Sequence, residues 1–124
     1  MDIRTMPAGP ELDAELDAEL ARALGYEIDA NGVHWVEDGR NRHWSTGVFT
    51  PSTDARITNW AAKKVTERGY TIHITIDPDR LTTVEVYRAV EEFLVTISKA
   101  DGETIPLAAT RAFILALREE AGHA

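Results

Sequence analysis

Ten side chains between residues 26 and 64 have the types needed to hold a small planar anion: Tyr26, His34, Trp35, Arg40, Arg42, His43, Trp44, Trp60, Lys63 and Lys64. All three tryptophans and two of the four histidines fall within residues 34–60, interleaved with bases. Aromatic faces stack on nucleobases, and arginine or lysine pairs with phosphate, so this combination suits a pocket for a nucleotide-like ligand. Trp35, Arg40, Arg42, His43, Trp44, Trp60, Lys63 and Lys64 are the expected ligand-binding set, with the tryptophans stacking and the bases meeting phosphate. The same residues also admit a structural reading, in which Trp35 and Trp60 are core and the bases are solvated surface, because tryptophan dominates small cores by area.

Other chemistry finds less to stand on. His34, His43 and His73, with Asp38 or Asp77, have no recognised ligand spacing, and no pair sits at a helical i, i+4 interval, so no metal is expected. Asp77 and Asp79 flank Pro78, where aspartates form turns more often than they work as an acid–base pair. No nucleophile–base–acid arrangement, phosphate-binding loop or GxGxxG pattern occurs. No enzyme activity and no cofactor are expected.

The elements that would position these residues are readable around one helix. PSTDARITNWAAKKVTERGY, residues 51–70, has Ser52 or Thr53 as cap, Asp54 at the positive end of the dipole, and Ile57, Trp60, Ala61 and Val65 as an apolar stripe. Gly69 stops it and Tyr70 opens a strand. Before it, Leu12, Leu16, Leu20 and Leu24 lie four apart in a helix that begins near Pro10 and stops at Gly25. Residues 26–50 read as short strands, with Asp38-Gly39 as a hairpin turn. After it, Tyr70–Ile76 alternates, with Tyr70, Ile72, Ile74 and Ile76 on one face, and Asp77-Pro78-Asp79 turns the chain. Within 82–99, Thr82 and Glu85 fit a helix capping box, but the density of Val, Thr, Ile and Tyr favours two strands, Thr83–Ala89 and Phe93–Ser98, turning at Glu91-Glu92. Thr104 and Pro106 start a final helix that Gly122 ends, with Leu107, Thr110, Ile114 and Leu117 as its stripe and Ala108, Ala109, Ala112 and Ala116 allowing close approach. The expected fold is α+β: a small, mainly antiparallel sheet layered with three helices, over 10–124, after a flexible tail at 1–9.

Composition bounds the partners. The 124-residue chain carries a net charge of −8 and no cysteine. Such a balance disfavours general nucleic-acid binding, and the lack of thiols fits a reducing cytoplasm. No apolar run approaches the ~20 residues of a membrane span, and the N-terminus has no signal-peptide pattern, so a soluble cytoplasmic protein with no membrane partner is expected. Residues 1–29 hold eight acids against Arg4 and Arg22, whereas 33–64 hold five bases against three acids, a locally basic segment in an acidic chain. The acidic first helix, Glu11–Leu24, offers a second functional class, an interaction module whose acids, Glu15 and Glu19 among them, occupy a basic site on a host protein.

Three segments resemble the phage ABA sandwich domain, a family of small bacteriophage and prophage proteins: Leu24-Gly25-Tyr26 after the first helix, Pro51-Ser52-Thr53-Asp54 with Trp60 in the central helix, and ADGETIPLAATRAFILAL at 100–117. The matches follow the family's order over about two thirds of the chain. Pro51 departs from the aromatic residue often found before the Ser-Thr-Asp triplet. The resemblance implies a sheet layered with helices and a phage origin, hence a host bacterial cytoplasm, and transfers no catalytic residue. Together with the aromatic and basic cluster, it leads to the expectation of a non-enzymatic protein that sequesters a small anionic, nucleotide-derived immune signal of the host. A homo-oligomer with a site shared between subunits would fit so short a chain. A purely structural phage accessory domain is the third possibility.

Overall fold

A computed structural model describes residues 3–6, 16–45 and 47–122. The elements run α1 (Leu16–Ala23), β1 (Glu27–Asp29), β2 (Gly32–Glu37), β3 (Arg40–Ser45), α2 (Ala55–Glu67), β4 (Tyr70–Thr75), β5 (Thr82–Val90), β6 (Phe93–Gly102) and α3 (Ile105–Gly122). The fold is α+β, with three helices and two antiparallel three-stranded sheets, ordered β1-β2-β3 and β4-β5-β6. The expected sheet is thus two small open sheets.

The α3 helix is the centre of the packing, set against β5, β6, α1 and α2. Thr104 caps it, its Oγ1 accepting a 3.3 Å hydrogen bond from the Leu107 N–H. Ala108, Ala109, Ala112 and Ala116 are all buried, and these small side chains let the helix lie close on the sheet. Contact is closest where a Cβ on Gly102 would stand 2.6 Å from the Ala108 nitrogen. Ser98, buried on β6, donates a 2.7 Å hydrogen bond to the Ala112 carbonyl and ties the two elements together. Phe113, Ile114 and Leu117 complete the core with Leu16, Leu20, Val65, Val84 and Val86, each large apolar side chain contributing about 2 kcal/mol by burial.

Residues 82–99 form the expected pair of strands. Thr82 and Glu85 cap no helix, because β5 is the middle strand and its β-branched residues pair on both sides. Glu91, at φ 57°, makes the tight turn. Strand β4 alternates as expected, but its apolar face is covered only at the start: Tyr70 is buried, whereas Ile74 and Ile76 are 43% and 64% exposed. The helices lie over β5 and β6 and leave the far end of this edge strand open.

The start of α2 differs from the sequence expectation. Asp54 is the cap, its side chain accepting a 2.9 Å hydrogen bond from the Arg56 N–H. Ser52 is buried instead, and its N–H donates to Oδ1 of Asp17 on α1 at 2.8 Å. A carboxylate that accepts a backbone hydrogen bond from another element is a tertiary contact with no local signal. The first helix is described from Leu16 onward, so Leu12 and the acids at 11–15 lie outside the described residues. Of the expected tail, residues 1–2 and 7–9 also lie outside them, while Ile3 and Met6 pack into the core and the Met6 carbonyl accepts hydrogen bonds from Arg111.

Candidate ligand-binding groove

Sheet β1-β2-β3 and helix α2 bring the three tryptophans together. In the β2–β3 register Trp35 faces Arg42, Val33 faces Trp44 and Glu37 faces Arg40, so these side chains share one side of the sheet. Asp38 and Gly39, both at positive φ, form the two-residue turn that sets this register. Trp60 comes from α2 to lie 5.3 Å from Trp35 and 5.5 Å from Trp44, ring centre to ring centre, with Phe49 edge-on at 5.9 Å. The three tryptophans are half-buried and pack against the main core, which takes up part of their surface, as in the structural reading.

One margin of that cluster stays open. The α1 helix ends with the Tyr26 N–H donating to the Ala21 carbonyl and the Gly25 N–H to Arg22, a left-handed C-terminal turn through Gly25 at φ 83°. This turn delivers Tyr26 face to face with Trp35, centroids 4.9 Å apart and planes within 15°. Burial holds the Tyr26 hydroxyl above the ordinary tyrosine pKa. Strand β1 spans only three residues, so the upper half of β2 has no neighbour on that side.

A groove of about 590 Å³ occupies this gap, with Tyr26, Trp35, Asn41, Arg42, His34 and Arg68 among its walls. The indole Nε1 of Trp35 is buried without a hydrogen-bond partner among the described residues, as is that of Trp44. Arg42 is half exposed and 4.0 Å from Glu37. Arg68 donates to the Leu24 carbonyl at 2.7 Å, which fixes its guanidinium at the rim. His34 is held by Asp29 at 2.9 Å. Two guanidinium groups beside a stacked ring pair can meet a carboxylate or phosphate with directed N–H donors.

The remaining expected site residues divide. Lys64 is nearly buried, bonds Glu37 and lies 5.8 Å over the Trp60 ring. The bond it donates raises the pKa of Lys64 and lowers that of Glu37. This lysine is thereby a tie between α2 and β2. Lys63 and Arg40 are exposed and line no groove near Trp35. His43 projects from the opposite face of the sheet, stacked 5.8 Å from His34. Trp44 lines a second groove, of about 570 Å³, with Val48, Thr50 and Arg56. Arg68 was missed by sequence reasoning. Its signal was its place just past the end of α2, as the cap residue before Gly69.

Among the described residues, no group of three or more His, Asp or Glu is placed to hold a metal ion, and no helix is long and apolar enough to cross a membrane. No family model, curated protein or solved structure matches the chain.

Proposed function

We propose that the chain is a phage-encoded, non-enzymatic binding protein that sequesters a small anionic, nucleotide-derived immune signal in the host bacterial cytoplasm. The observation that carries the binding part is the Tyr26–Trp35 pair with an unpaired indole N–H, bordered by Arg42 and Arg68 in one groove. An aromatic pair offers a ring face or edge to a base, and the arginines offer charge-assisted hydrogen bonds to phosphate, each worth about 1.5–3 kcal/mol. The phage and anti-defence parts rest on the resemblance carried by Leu24-Gly25-Tyr26, Pro51–Asp54 with Trp60, and the alanine-rich final helix.

The alternative, a host-protein inhibitor acting through an acidic first helix, has less support. Asp17 is buried, and Glu19 is bonded to Arg22 and Arg118, so neither presents a free carboxylate to a basic partner. Glu15 lies outside the described residues.

Native mass spectrometry of the protein mixed with nucleotide extracts from infected and uninfected cells tests the proposal. A retained small anion, lost in Arg42→Ala, is the expected result. A protein that stays unliganded in every extract contradicts it.

A further inference from the structure

The open edge of β2 carries a hydrogen-bonding pair that the fold does not use. Asp38 and Gly39, both at positive φ, make a two-residue turn that hydrogen-bonds its closing residues, Glu37 and Arg40, to each other. From that pair the ladder alternates: Trp35 and Val33 turn their N–H and carbonyl toward β3, whereas Val36, His34 and Gly32 turn theirs toward β1. His34 and Gly32 meet Glu27 and Asp29 there, but β1 begins at Glu27 and extends no further along β2. The residue next in line opposite Val36 is Gly25, whose N–H is bonded to the Arg22 carbonyl at the end of α1. Among the described residues, no backbone hydrogen bond from another element reaches Val36 on this side. Its N–H and carbonyl therefore face the groove beside Trp35, which Val36 lines.

We propose that a nucleobase docks edge-on against Val36, whose N–H donates to it and whose carbonyl accepts from it, while the phosphate of the same ligand meets Arg42 and Arg68. This rests on the nucleotide reading of the groove and assigns the ligand's orientation within it. Strand parity gives the groove unlike walls: Tyr26, Trp35 and Arg42 stand on the α2 side, Glu27 and Asn41 on the other, and the Val36 edge lies between them. Trp35 is already stacked on Tyr26 and packed against Trp60, and arginine only donates. A base also needs an acceptor for its amino or imino hydrogen, and every base carries a donor and an acceptor side by side on its pairing edge. Val36 offers the matching pair. Glu27 fixes the direction, because its carboxylate repels phosphate and accepts from a base N–H. Asn41, opposite Val36 in the ladder, adds an amide that donates and accepts. A peptide strand is the other user of such an edge, but it pairs along several residues. Between His34, which is paired with β1, and the turn, Val36 alone is open.

Titration calorimetry with the common 5′-mononucleotides and with ribose 5-phosphate, which lacks the base, gives the test. At least one nucleotide is expected to bind about 10-fold or more tightly than ribose 5-phosphate. Val36→Pro removes the N–H on the side away from β3 and so keeps the β2–β3 ladder. It is expected to weaken the nucleotide about 10-fold and to leave ribose 5-phosphate unchanged, whereas Val36→Thr should alter neither. Amide signals of the wild-type protein supply a readout that does not depend on whether Val36→Pro folds. The Val36 N–H is expected to exchange faster than that of Trp35 in the free protein, and to shift and become protected with the nucleotide but not with ribose 5-phosphate. Equal affinity for nucleotide and ribose 5-phosphate, a folded Val36→Pro that binds the nucleotide as wild type does, or a Val36 amide unmoved by bound nucleotide overturns the proposal and leaves the groove as an anion site. Binding of none of these probes overturns the proposal and the groove reading together.

Discussion

Tyr26 and Trp35 lie face to face, 4.9 Å apart, although Tyr26 lies in the α1–β1 connection and Trp35 on β2, beyond the β1–β2 turn. The stack links the end of α1 to the tryptophan cluster and forms one wall of the groove. Such a pair stabilises by about 1 kcal/mol beyond its buried area. Tyr26→Leu is therefore expected to lower the melting temperature by roughly 4 °C and to weaken ligand binding, read by calorimetry and tryptophan fluorescence.

The Lys64–Glu37 bond gives a prediction with a definite pH sign. Glu37 has a depressed pKa, chiefly because Lys64 donates to it, so its contribution is present above the ordinary carboxylate range and is lost as pH falls through the folded value. Lys64 has a raised pKa, chiefly from the same bond, so its contribution is present below the ordinary lysine value and is lost as pH rises through the folded one. The difference in denaturation midpoint between wild type and Glu37→Gln is expected to be largest near neutrality. It should vanish on acidification below the carboxylate range. A difference that persists in acid would show that the bond is not its source.

Asp17 and Ser52 yield a stability prediction. Removing a buried acceptor leaves the Ser52 N–H without its partner, a loss of about 1–3 kcal/mol. Asp17→Ala should reduce stability by that amount in urea denaturation, whereas Glu19→Ala, which removes only the partly exposed ion pairs to Arg22 and Arg118, should change it by less than about 1 kcal/mol.

Gly102→Ala tests the contact between β6 and α3. The new methyl would meet the Ala108 nitrogen, whose N–H makes the first-turn hydrogen bond to the Thr104 carbonyl. Overpacking of this kind costs about 1–3 kcal/mol. The amide of Ala108 is expected to exchange faster with solvent in the variant, because the backbone must shift at the helix start.

The fold was legible wherever local pattern and tertiary environment agreed. Thr104, Pro106 and the alanines of α3, the Asp38-Gly39 turn, and the alternation from Tyr70 all point to the elements that form. Pattern was insufficient where a partner far along the chain decides. Ser52 looks like a cap until Asp17 takes its N–H, and Ile74 and Ile76 look like core until the helix layer is seen to stop short of them. The candidate groove was legible in part. Sequence composition picks out Trp35 and Arg42, but strand parity sends His43 to the other face, and Glu37 binds Lys64. Arg68 reaches the groove only because α2 ends beside the α1 turn, where Leu24 accepts its hydrogen bond.

The central claim is that the groove beside Tyr26 and Trp35 binds a small nucleotide-like anion through Arg42 and Arg68. Titration calorimetry with a panel of linear and cyclic nucleotides, on wild type, Arg42→Ala, Arg68→Ala and the outlying Lys63→Ala, tests it most directly. The account predicts saturable binding of at least one nucleotide, weakened about 10–100-fold by either arginine substitution and unchanged by Lys63→Ala. Absence of binding across the panel, or binding indifferent to both arginines, would contradict it.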